Sequence, residues 1–223
     1  MQEFISKNYV KYHKGNGLLF CHVEAIHAVP PAADRFTDNI VLGIMAQTNC
    51  AGIISTVSRQ IADLNKAPDG FNNEGLKEYR DSVREIIDQL GILQTNERIN
   101  RNYLHLSIHG MRDEHHGPFA IEIGTRNGQS CSKEMKKWLK ETLMRKASEL
   151  IPRIDIVFDE KFVGDPSLVF HRRGDGNEYK GYGTKFHTFQ LEIAHYLREN
   201  FHPVVVELLA HTISEFQKKE FTF

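Results

Sequence analysis

The chain has 223 residues, 40% of them hydrophobic and 26% charged, which suits one α/β domain with a sizeable core and excludes disorder, collagen and coiled coil. A formal net charge of -1 gives no global basic field for nucleic acid, and no local basic patch replaces it. No stretch approaches the roughly eighteen consecutive apolar residues of a membrane span, and the start, Met1-Gln2-Glu3-Phe4, lacks the apolar middle of a signal peptide, so a cytoplasmic protein with no membrane partner is expected.

A short apolar run at 17–23 follows a Gly-containing turn and predicts a buried strand. Residues 34–47 predict a helix, and the Ile-rich run 51–57 the next strand. Over 73–93, Leu76, Tyr79, Val83, Ile86, Ile87 and Leu90 recur at intervals of three and four, the mark of an amphipathic helix. Residues 103–109 alternate instead, with Leu104, Leu106 and Ile108 on one face and His105, Ser107 and His109 on the other. Strands at 119–123 and 154–158 flank a helix at 132–150; 188–193 alternates again, a polar break follows at 198–200, and 203–218 predicts the last helix. Strands and helices interleave, which predicts one domain over 1–223 with helices on both faces of a sheet. The Gly-rich stretch 163–185 predicts a long functional or mobile loop, a lid that could bring in Arg172, Arg173 or Lys180.

Cys21, Cys50 and Cys131 are odd in number and widely spaced, so buried free thiols are expected rather than a disulfide or a zinc knuckle. The twelve histidines carry more information, because imidazole both binds metals and titrates near neutrality. In open α/β sheets ligands collect beyond the carboxyl ends of the strands. Placed there are Glu24, His27, Asp34 and Asp38; then Ser58, Arg59, Asp63, Asn65 and Lys66; then His109, Glu122, Thr125 and Glu192. Such a set supplies the parts of a hydrolytic metal site: nitrogen and oxygen ligands, a carboxylate to carry a proton, and a cation to fix a substrate carboxylate. The plainer alternative is that Asp63 and Asn65 build turns and Glu192 pairs with a lysine. His115 and His116, after Asp113-Glu114, form a second candidate cluster, with solvation on a polar loop as its plainer explanation. No H-E-x-x-H, P-loop or G-x-S-x-G motif is present.

The run Val57-Ser58-Arg59-Gln60-Ile61-Ala62-Asp63-Leu64-Asn65-Lys66 resembles the S-R-x-x-x-D-x-N-R segment of the N-formylglutamate amidohydrolase family. His27-Ala28-Val29 resembles its early P-H-A element, and Asp34-Arg35-Phe36-Thr37-Asp38 its D-x-x-V-D. Ile108-His109-Gly110-Met111 resembles the L-H-G strand end, Ile123-Gly124-Thr125-Arg126-Asn127-Gly128 the I-G-x-x-x-G, and Phe189-Gln190-Leu191-Glu192-Ile193 the late L-Q-x-E-x. These pieces fall in the family's order over 18–198. The resemblance implies a three-layer αβα sandwich with a central mixed sheet, the phosphorylase/hydrolase-like fold. It implies zinc held by His27, Asp34 and His109, Glu192 as catalytic base and acid, and Arg59 as a catalytic and anchoring cation. Asn65 and Lys66, with Asp63, would complete the substrate-binding group. Lys66 stands where the family has arginine, which keeps the charge and loses the bidentate fork.

The expected activity is therefore metal-dependent hydrolysis of the amide in a small N-acyl amino acid, a carboxylate-bearing small-molecule substrate. The alternatives are a catalytically silent carboxylate-binding protein on the same fold, and a hydrolase of γ-glutamyl polymers.

Overall fold

The computed structural model describes residues 3–151 and 153–221, so Met1 and Gln2 of the polar start lie outside the described residues. In chain order the strands are β1 (Ile5–Ser6), β2 (Val10–His13), β3 (Cys21–Ala25), β4 (Ala51–Ser55), β5 (Tyr103–Met111), β6 (Ala120–Gly124), β7 (Asp155–Phe158) and β8 (Phe186–Ala194). The helices are α1 (Thr37–Thr48), α2 (Asn73–Gln89), α3 (Lys133–Leu150), α4 (Phe170–Arg173), α5 (His195–Asn200) and α6 (His202–Phe221). The strands form one mixed sheet in the order β1-β2-β4-β3-β5-β8-β6-β7. Its centre, β4-β3-β5-β8, is parallel, while β2 pairs antiparallel with β4 and β6 antiparallel with β8.

Helices cover both faces, as the interleaved pattern predicts. On one face α1, α3 and α6 pack together over Val23, Leu106, Ile108 and Leu191, all fully buried. Gly52 lets α1 approach β4, because a Cβ there would lie 2.2 Å from Met45 Sδ. The α2 helix turns Leu76, Tyr79, Val83, Ile86 and Ile87 inward, the predicted stripe, and lies against β2 and the opposite sheet face.

That opposite face sets up the chemistry. The parallel register places His22 beside His105 and Glu24 beside Ser107. It then places His105 beside Thr188, Ser107 beside Gln190 and His109 beside Glu192. Side chains two apart share a face, so three central strands present a continuous buried polar stripe where such strands are ordinarily apolar on both sides. The chain runs from β3 to β4 on one side and reaches β5 on the other, so a crevice opens beyond the carboxyl ends of β3 and β5.

Three features differ from the sequence reading. The strand expected at 17–23 begins four residues later, because Gly17 takes a positive φ and Leu18 is 64% exposed in the turn. The polar break at 198–200 is the end of α5, and its Arg198 is buried. The Gly-rich stretch, expected as one long loop, holds short helical elements: a 3-10 turn (Pro166–Val169) and α4 lie within it, His171 and Tyr182 are buried, and Arg172 donates to the carbonyls of Thr184 and Phe186. All three cysteines are buried free thiols.

Candidate functional site

At the crevice, His27 follows β3 by two residues, and the 26–36 segment turns back so that Asp34 N donates to His27 O at 2.8 Å. His109 reaches the same place from β5. The two imidazole rings meet edge to face, 4.9 Å between centroids. His27 Nδ1 lies 3.6 Å and His109 Nδ1 3.3 Å from the same oxygen, Asp34 Oδ2. The outer nitrogens are held from behind, His27 Nε2 by Asp63 Oδ1 at 2.8 Å and His109 Nε2 by Ser107 Oγ at 3.0 Å. Three ligand atoms thus converge within 4.8 Å of one another, each ring fixed by a partner on its far nitrogen. His27 Nδ1 is buried with no hydrogen-bond partner, which suits a nitrogen whose lone pair awaits a cation.

Electrostatics follow from this packing. Burial alone would raise Asp34, but the neighbouring imidazoles of His109 and His27 and the charge of Arg59 hold its carboxyl well below the usual range. Burial opposes protonation of His27, yet Asp34 and Asp63 together raise it above the ordinary imidazole value. Glu192, beside His109 on β8, moves the other way: burial lifts its carboxyl, His109 opposes and Asp34 adds to the rise. Gln190 Nε2 donates to Glu192 Oε1 at 2.8 Å, and Asn65 Nδ2 reaches Gln190 Oε1 at 3.4 Å.

A cleft of about 480 Å³ opens over these residues. Arg59 stands at its edge, donating through Nη2 to Asp34 and through Nε to Ala32 O at 2.8 Å. Lys66 pairs with Asp165. Asp63, expected among the substrate-binding residues, faces His27 and caps Asn65 N at 3.0 Å. His27, Asp34, Arg59, Asp63, Asn65, Lys66, His109 and Glu192 therefore border one cleft, whereas the strand-end candidates Asp38, Ser58, Glu122 and Thr125 do not line it. His22 and Glu24 do not join it; they form a separate buried cluster with His105. His116 pairs with Glu122 at 2.7 Å, so the His115-His116 candidate is taken up by an internal contact.

Sequence reasoning missed Arg126, Lys161, Phe162 and Asp165, which also line the cleft. Lys161 and Phe162 are held by Glu122, a fully buried carboxylate whose Oε1 accepts from three consecutive backbone amides, Glu160, Lys161 and Phe162, each at 2.7 Å. Gly124 permits the close approach, since a Cβ there would lie 2.5 Å from Phe162 O. The strand ends are fixed by Arg198, 4% exposed, which donates to Ile193 O at 2.9 Å, to Met111 O at 3.2 Å and to Arg35 O. Gly110 makes room for it, because a Cβ would meet the guanidinium carbon at 2.4 Å. One buried cation thereby ties together the segments that carry Asp34, His109 and Glu192.

No protein-family model matches the chain, and no curated protein matches it significantly. Solved structures do. An N-formylglutamate amidohydrolase from Ralstonia eutropha superposes with a TM-score of 0.66 at 12% identity, over 96% of this chain and 98% of that one. A gene product of Agrobacterium tumefaciens gives 0.63 at 14% identity, over 97% of both chains. A bacteriophage poly-gamma-glutamate hydrolase gives 0.50 at 12% identity, over 96% of this chain and 92% of that one. The three-layer αβα architecture with a mixed central sheet is thus that of the N-formylglutamate amidohydrolase structure.

Proposed function

We propose that the chain is a metal-dependent amidohydrolase that cleaves the amide of a small N-acyl amino acid or a similar carboxylate-bearing substrate. The observation that carries this reading is the convergence of His27 Nδ1 and His109 Nδ1 on Asp34 Oδ2 at the floor of an open cleft, with His27 Nδ1 unpartnered. Two imidazoles and a carboxylate suit zinc, and such a cation supplies Lewis acidity and a lowered pKa for water.

The chain's own side chains do the rest. Asp63 and Ser107 hold the far nitrogens of His27 and His109, which keeps both Nδ1 lone pairs aimed at the cleft. Arg59 orients Asp34 and, with its side chain 30% exposed, offers positive charge to a carbonyl oxygen or a substrate carboxylate. Lys66 and Arg126 add charge on the walls. Glu192 is the proton carrier: a carboxyl raised by burial accepts a proton from water and returns it to the departing nitrogen. The fold likeness to an N-formylglutamate amidohydrolase and a poly-gamma-glutamate hydrolase supports a substrate with a glutamate-like carboxylate. A cleft of about 480 Å³ accommodates such a small substrate.

The test is a side-by-side assay of formyl, acetyl, succinyl and γ-glutamyl amino acid substrates, with added zinc and with chelator. Chelator-sensitive hydrolysis of an acyl amino acid is expected. Zinc-loaded protein that binds the carboxylates and hydrolyses none of them would make it a silent binding protein instead.

A further inference from the structure

A second set of metal-ligating side chains lies deeper on the same polar face, and the proposed hydrolysis does not use it. His22 and Glu24 stand two apart on β3, and the register places His105 of β5 beside His22. None of the three is more than 1% exposed. The two imidazoles are stacked, with centroids 4.1 Å apart and 12° between planes. Each turns Nε2 toward a different oxygen of one carboxylate: His105 Nε2 lies 3.0 Å from Glu24 Oε1, and His22 Nε2 lies 3.8 Å from Glu24 Oε2.

Outer contacts fix this arrangement. His22 Nδ1 meets Tyr103 OH at 3.0 Å, and His105 Nδ1 meets Thr188 Oγ1 at 3.2 Å. Glu24 accepts from Tyr79 OH and from Ser107 Oγ, both at 2.7 Å. Where Nδ1 donates to these hydroxyls, Nε2 carries the inward lone pair, the pattern of imidazoles that ligate metals. Among the described residues, the buried side-chain nitrogens and oxygens without a hydrogen-bond partner are His27 Nδ1, His22 Nε2 and His105 Nε2. One belongs to the cleft, and the other two are both here. In that tautomer the two Nε2 lone pairs face the Glu24 carboxylate in a dry interior, an arrangement that a cation between them stabilises.

We propose that His22, His105 and Glu24 form a second, structural site for a divalent cation of the zinc class, sealed behind the cleft. The three ligand atoms lie within 4.8 Å of one another, and two imidazoles with one carboxylate are a donor set zinc accepts. Ser107 joins the two clusters, donating to Glu24 and touching His109 Nε2. The proposal does not rest on the reading of the cleft.

The test is zinc content per chain, measured by elemental mass spectrometry on protein produced with zinc and exhaustively desalted. Two zinc ions are expected for the unmodified protein, and one for the variant carrying His27→Asn and His109→Asn. A double variant that holds none overturns the second site and means that a proton, not a metal, sits between His105 and Glu24. If the unmodified protein and that variant each hold one, the second site stands and the reading of the cleft fails. Because His22→Asn with His105→Asn alters the interior and can prevent folding, crystals of the unmodified protein grown with zinc supply the direct measurement. An anomalous peak about 2.0–2.1 Å from His22 Nε2 and His105 Nε2 is expected, and an anomalous map without one overturns the proposal.

Discussion

The strand-end and buried clusters use nearly the same ligands, two histidines and one carboxylate from β3, β5 and the segment that follows β3, and they share Ser107. What separates them is surroundings. The cluster of His27, Asp34 and His109 floors a cleft flanked by Arg59, Lys66 and Arg126. That of His22, Glu24 and His105 is roofed by Tyr79 of α2 and by His171, itself held by Tyr79 at 3.0 Å and Tyr179 at 2.6 Å. Closely similar donor sets can thus line an open cleft or lie sealed in the interior. Position along the strand decides which.

Substitutions at the two depths should separate activity from stability. The largest effect is expected for Glu192→Gln, which keeps shape and removes the proton carrier: hydrolysis should fall by about 10²–10⁴-fold in steady-state assays, with the thermal midpoint nearly unchanged. Glu24→Ala should show the opposite balance. It strips a buried carboxylate from Tyr79, Ser107 and two imidazoles, and urea denaturation should register a loss of about 3–5 kcal/mol. A smaller effect is expected for Ser107→Ala, the residue between them. Losing the partner of His109 Nε2 should lower metal affinity at the cleft by about 10–100-fold, read by competition with a chromogenic chelator.

The smallest effect tests a histidine outside both clusters. Burial, with help from Arg172, lowers His187 to about 3. Its folded pKa lies below the unfolded value of about 6.5, so its contribution is fully present above that pH and is lost as pH falls toward 3. Stability curves at pH 7 and pH 5 should differ less in His187→Gln than in the unmodified protein. Equal differences would assign the acid sensitivity to the two clusters instead.

Much of this layout could be read from residue order alone. The parallel core was legible because β4, β5 and β8 are apolar runs or strict alternations, and α2 because its stripe is unbroken. The edge strands β1 and β2 were not, since the short β2 takes its identity from pairing with the distant β4, and the two-residue β1 from pairing with β2. The cleft residues from His27 to Glu192 followed from strand ends and family resemblance. The polar face of β5 was visible as His105, Ser107 and His109. Its pairing with His22 and Glu24 was not, because register is set by packing across the sheet. The Asp63 contact with His27 and the Glu122 cradle were equally hidden, each joining side chains to groups more than thirty residues away.

That cradle bears on how such a cleft could diversify. Glu122 grips residues 160–162 solely through their peptide groups, so the wall they build keeps its position whatever side chains it carries. Lys161 and Phe162 can be exchanged for other sizes and charges, retuning which acyl group is admitted, while the opposite bank with its histidines stays untouched.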